Sequence, residues 1–121
     1  PDRPVVVVIG DGSAGFNIAE FDTMVRHALP ITVVVMNNKS WGASRVLQKV
    51  ESGRTVGTGL GNARYDQVMS AFGGDGFRVA ELAELDVTLR RAIAARGPVC
   101  VEIAISDEDE IPPAMLSAMT R

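Results

Sequence analysis

The stretch Val5-Val6-Val7-Val8-Ile9-Gly10-Asp11-Gly12-Ser13 decides the fold class. Its five apolar residues show no polar alternation, which is the pattern of a strand covered on both faces, as in a parallel sheet. Two glycines then flank a carboxylate, so the strand is expected to turn sharply into a helix. Working outward, Ile31 to Met36 and Val99 to Ile105 repeat the apolar, β-branched pattern, and Phe77 to Val79 forms a weaker fourth strand. Helical periodicity fills the gaps. From Asn17 to Leu29 the residues Ile18, Phe21, Met24, Val25, Ala28 and Leu29 recur at three- and four-residue steps, with Pro30 as the stop. Tyr65 to Phe72 predicts a second helix closed by Gly73-Gly74, and Leu82 to Arg96 a third, with Leu85, Leu89 and Ile93 facing inward. Parallel strands need crossovers and helices supply them, so the fold class is α/β, a mostly parallel sheet flanked by helices. The glycine-rich stretch Glu51 to Asn62 reads as a mobile or partner-ordered loop, and Asp107 to Glu110 with Pro112-Pro113 as a surface exit from the sheet.

The 121 residues fit one domain, and a 46% hydrophobic content supplies a core. Because residue 1 is Pro and a buried strand begins by Val5, the chain is expected to be a piece of something longer. The net charge is -3 and there is no basic run, which argues against a nucleic-acid partner. No apolar stretch reaches the ~20 residues needed to cross a bilayer. Cys100, the single cysteine, sits in an apolar run and reads as a small buried hydrophobe, consistent with a reducing, cytoplasmic setting.

Ligands of parallel α/β sheets bind beyond the carboxyl ends of the strands. Two ends stand out, Gly10-Asp11-Gly12-Ser13 after the first strand and Asn37-Asn38-Lys39-Ser40 after the second. Glycines at a strand-to-helix turn leave backbone N–H groups open to a phosphate, yet Asp11 would repel one. A divalent cation between them removes the conflict. Asn38 offers a neutral amide oxygen to the same ion, and magnesium takes near-octahedral oxygen ligands with only one or two carboxylates.

These residues resemble the signature of thiamine-diphosphate-dependent enzymes, a GDG sequence closed by NN after an intervening helix and strand. The resemblance continues through Phe21-Asp22-Thr23-Met24, Leu29-Pro30, Asn37 to Gly42, Ala63-Arg64-Tyr65-Asp66, Phe72-Gly73-Gly74 and Gly97-Pro98, and so covers most of the chain. It implies a C-terminal thiamine-diphosphate-binding domain of the acetolactate synthase type. Asp11, Asn38 and the carbonyl of Ser40 would ligate Mg2+, Gly12 and Ser13 would contact the diphosphate, and Gly10, Trp41 and Gly42 would complete the cofactor site. The catalytic glutamate would come from a separate pyrimidine-binding domain of another subunit, which implies a homodimer or homotetramer. The implied chemistry is that of a decarboxylase, lyase or transferase acting on small 2-oxo acids or acyl-CoA substrates.

Oxalyl-CoA decarboxylase, 2-hydroxyacyl-CoA lyase and benzoylformate decarboxylase share the same motifs, and Ala43-Ser44-Arg45 departs from the acetolactate synthase pattern. A different class, an α/β module binding a magnesium nucleotide, fits Asp11 and Asn38 but lacks a GxxxxGK[ST] loop. His27, the one histidine, and Glu20 read as polar-face helix residues, and Lys39 as a loop charge that could also face a diphosphate. Trp41 reads equally as a packed indole or a cofactor-lining one.

Overall fold

The computed structural model describes residues 3–107. Four strands, β1 (Val5–Gly10), β2 (Ile31–Asn37), β3 (Asp75–Val79) and β4 (Val99–Ala104), form one parallel sheet in the order β1-β2-β4-β3. Five helices accompany them: α1 (Asp11–Phe16), α2 (Glu20–Arg26), α3 (Gly42–Ser52), α4 (Tyr65–Phe72) and α5 (Leu85–Ile93), the last preceded by a 3-10 turn at Leu82–Glu84. The α/β fold class is therefore the one expected. On one face, Val33, Val35 and Cys100 meet Ala14, Phe21, Met24, Tyr65 and Met69 from α1, α2 and α4. On the other, Val34, Val79, Val99 and Val101 meet Ala92 of α5.

Several boundaries differ from the sequence expectation. The helix predicted over 17–29 is shorter, Glu20–Arg26, and a separate short helix α1 precedes it; between the two, Glu20, Phe21 and Asp22 donate to the carbonyls of Asn17, Ile18 and Ala19, three residues back, in a tight turn. The end of α2 is a left-handed cap in which Ala28 takes φ 49° and Leu29 N–H reaches back to the Met24 carbonyl, with Pro30 beyond. The third helix is shorter than expected, and Ala92 rather than Ile93 faces the core: Ile93 is 43% exposed and Ala92 1%. α3, Gly42–Ser52, was not expected from the sequence, and its last two residues fall in the stretch read as loop. Its stop signal is present in the sequence, Lys49 in the last turn and Gly53 in the left-handed conformation, but Gly42 and Ser44 weaken its start.

The loop that follows is tied down. Trp41 N–H donates to the Thr58 carbonyl and Leu60 N–H to that of Lys39, so residues 58–60 lie along the turn after β2 instead of standing away from the molecule. β3 begins at Asp75, two residues before the expected start, and α4 crosses so close to Gly76 that a Cβ there would collide with the Asp66 carbonyl.

The expectation that the first strand is covered on both faces is not met among the described residues. β1 pairs with β2 alone and stands at the sheet edge, where Val8 is 66% exposed. The predicted exit at Asp107 to Glu110 and Pro112-Pro113 falls, after Asp107, outside the described residues.

Candidate functional site

β1 and β2 run parallel with Gly10 opposite Met36, so their carboxyl ends deliver Asp11 and Asn38 to the same edge of the sheet. There a cavity of about 310 Å³ is lined by Gly10, Asp11, Gly12, Ser13, Asn38, Ser40, Trp41 and Gly42, together with Met36, Ala43, Ser44 and Ile105. Every residue predicted for the cofactor site thus faces one cavity. Asp11 is buried, and its carboxylate knits the two turns together: Oδ1 accepts from Gly12 N–H at 2.9 Å and Oδ2 from Ser40 N–H at 3.1 Å.

The residues fit a hard cation with an anion beside it. Ser40 is buried and its Oγ has no hydrogen-bond partner among the described residues. An orphaned buried hydroxyl costs about 1–3 kcal/mol, which a ligand in the cavity would recover. The bridge between Ser40 and Gly59 runs through the Lys39 carbonyl and Trp41 N–H and so does not consume the Ser40 carbonyl. A Cβ on Gly10 would meet nothing within 4 Å, whereas one on Gly12 would stand 2.7 Å from the Trp41 ring. Trp41 is therefore both a packed indole and a cavity wall, lying against Gly12 and, with centroids 5.1 Å apart, against Phe16.

The turn between β2 and α3 is strained. Lys39 has φ 58°, a left-handed conformation that costs a non-glycine residue about 1–3 kcal/mol and persists only where the surroundings enforce it. Asn37 enforces it, its Oδ1 accepting Lys39 N–H at 3.0 Å. Asn37 in turn donates through Nδ2 to Glu102 Oε1 at 3.2 Å and to the Ala63 carbonyl at 3.2 Å.

Glu102 was not singled out from the sequence as anything but part of the last strand, yet it is 1% exposed at the centre of the sheet. Its other oxygen accepts Tyr65 N–H at 2.7 Å, and the Tyr65 hydroxyl donates to the Asp11 carbonyl at 2.9 Å. Burial and a hydrogen bond to Asp66 push the Glu102 carboxyl above its ordinary value, against the smaller pull of Tyr65 and Asn37. Burial would raise Asp66 too, but the Arg64 guanidinium, bonded to both its oxygens at 2.9 and 2.7 Å, prevails and holds it below the usual range. A charged residue alone in the run Val99-Cys100-Val101-Glu102-Ile103 was the available signal, since an unpaired buried carboxylate is rare. Cys100 behaves as expected: it is buried, and burial pushes its thiol up to about 12, which keeps it an inert thiol. His27 caps the C-terminal end of α2, exposed, and Glu20 is exposed as well.

Residues 1–103 match the family model for the thiamine pyrophosphate enzyme, C-terminal TPP binding domain. The chain belongs to this family. Within the TPP-binding domain, it is 39% identical over 104 residues to the acetolactate synthase large subunit IlvG of Mycobacterium tuberculosis, covering 85% of this chain and 19% of that protein. It is 35% identical over 103 residues to the oxalyl-CoA decarboxylase of Escherichia coli, covering 84% of this chain and 18% of that protein. Among solved structures, the thiamine diphosphate-dependent 4-hydroxybenzoylformate decarboxylase of Rhodococcus jostii superposes with a TM-score of 0.85 at 27% identity, over 91% of this chain and 21% of that one. The chain thus spans about one fifth of the length of these relatives. Among the described residues no helix is long and apolar enough to cross a membrane.

Proposed function

We propose that this TPP-binding domain holds the diphosphate of thiamine diphosphate through Mg2+, in an enzyme that makes or breaks a C–C bond next to a carbonyl, most like acetolactate synthase. The observation that carries the reading is the convergence of Gly10 to Ser13 and Asn38 to Gly42 on one cavity, with a buried, unpartnered Ser40 hydroxyl at its wall. When bound, thiamine diphosphate supplies a thiazolium carbon that adds to a carbonyl and carries the bonding electrons of its neighbour.

This chain's own residues hold and orient. Asp11 and Asn38 supply side-chain oxygens to the metal and Ser40 its carbonyl, which leaves positions for diphosphate oxygens. Gly10, Gly12 and Ser13 present backbone and hydroxyl groups to the diphosphate, while Trp41 and Gly42 bound the cavity on its other side. In this reading the catalytic glutamate comes from a pyrimidine-binding domain of another subunit in a cytoplasmic homodimer or homotetramer, and the substrates are 2-oxo acids or acyl-CoA thioesters.

Calorimetric titration with thiamine diphosphate, with and without Mg2+, tests the proposal. Binding that needs the metal, and no binding of ATP or GTP, is the expected result. Equal affinity in EDTA and in magnesium, or preference for a nucleotide, would overturn it.

A further inference from the structure

One strand away from the cavity, largely buried polar groups form a closed ring through Glu102, a residue that no motif marks. Glu102 Oε2 accepts Tyr65 N–H, and the Tyr65 hydroxyl donates to the Asp11 carbonyl. Asp11 Oδ2 accepts Ser40 N–H, which follows Lys39 in the chain. Lys39 N–H donates to Asn37 Oδ1, and Asn37 Nδ2 returns to Glu102 Oε1. We propose that Glu102 is a positioning residue for the diphosphate site: its two oxygens fix the turn after β1 and the turn after β2 in register with each other, one through Tyr65 and the other through Asn37. The inference rests on the reading of that site as a metal–diphosphate site.

Three features support it. Glu102 lies in β4, between β2 and β3, so its carboxylate is anchored to the part of the sheet least free to move. One arm ends on the backbone of the candidate ligand Asp11 and the other on the strained Lys39, between the candidate site residues Asn38 and Ser40. Finally, two acceptor oxygens are required, and only a carboxyl provides them at this spacing; an amide in the same place offers one acceptor and sets an N–H₂ group against a donor.

A purely structural role, tying the start of α4 to the sheet, would act on the whole core. The two roles separate in the chain without metal or cofactor. Amide hydrogen exchange, read by mass spectrometry, is compared for the turns at 10–13 and 38–42 and for α5 in the wild type, Glu102→Gln and Tyr65→Phe. In Glu102→Gln, loss of one buried hydrogen bond is expected to speed exchange at both turns about tenfold and to leave α5 unchanged. Tyr65→Phe removes a single oxygen and cuts only the arm to Asp11, so if Glu102→Gln fails to fold it tests that arm, with faster exchange expected at 10–13 and no change at α5. The magnesium-dependent affinity for thiamine diphosphate should fall by a similar factor in each, and by less than the product in the double variant, because both act through one network. Unchanged exchange at the turns, or acceleration shared equally by α5, overturns the proposal. If the wild type does not bind thiamine diphosphate, the reading of the cavity falls, while the exchange data still decide the role of Glu102.

Discussion

Asp11 accepts two backbone N–H groups, so its substitution has two separable effects. Asp11→Asn keeps an acceptor for Ser40 N–H but drops the charge, whereas Asp11→Ala drops both. Titration of both variants should show magnesium-dependent binding of thiamine diphosphate lost in each, with thermal stability falling in both and further in Asp11→Ala, because the amide still accepts one of the two N–H groups. A metal dependence that survives in either would remove Asp11 from the ligand set. Asn38→Asp keeps an oxygen but sets a second carboxylate near Asp11 and the diphosphate. Its magnesium affinity, followed by Trp41 fluorescence, should drop well below that of the wild type; an unchanged value would count against Asn38 as a ligand. Gly12 is constrained by contact and not by φ, since an added Cβ meets the Trp41 ring at 2.7 Å. Gly12→Ala should therefore cost about 1–3 kcal/mol in denaturant unfolding, the range for forced overpacking, and Trp41→Ala should relieve it.

At the scale of elements, β4 carries a titratable device inside the sheet. Glu102 has its carboxyl raised by burial and by Asp66, so its favourable contribution is complete below the ordinary value of 4.5 and is lost as pH rises through the raised one. Asp66 has the opposite sign. Held low by Arg64 in spite of burial, it contributes stability above 3.8 that disappears as pH falls through its depressed value. A wild-type-minus-E102Q difference in Tm should accordingly shrink as pH rises from 4.5, since only the wild type must ionise a buried acid. A difference independent of pH would mean that Glu102 titrates as an ordinary carboxyl.

For the whole molecule, an expectation follows from what lines the cavity. No glutamate is among its lining residues, and Glu102 lies behind the turns, committed to Tyr65 and Asn37. Supplied with thiamine diphosphate and Mg2+, this 121-residue chain alone should release no carbon dioxide from pyruvate or another 2-oxo acid and form no acetolactate. Displacing a reacting group by about 1 Å can already cost ~100-fold, so a cofactor held at its diphosphate alone is not enough. Turnover by the chain alone would mean that the catalytic groups lie within it. Addition of a separately expressed partner bearing the pyrimidine-binding domain is the complementary arm of the assay.

The sequence by itself determined the class of fold and the candidate site. Uninterrupted β-branched runs read as strands, glycines around Asp11 mark where the first strand gives way to a helix, and oxygen-bearing residues at two strand ends point to one site, because these signals are local and each is written in consecutive residues. The tertiary structure decided what depends on residues far apart in the chain. The loop at 58–60 is ordered by the very turn it covers. Glu102 gains its meaning only when Tyr65, 37 residues away, and Asn37, 65 residues away, arrive at its two oxygens. A hydrogen-bond network has no period and no spacing rule, so its members look like ordinary residues until the fold brings them together.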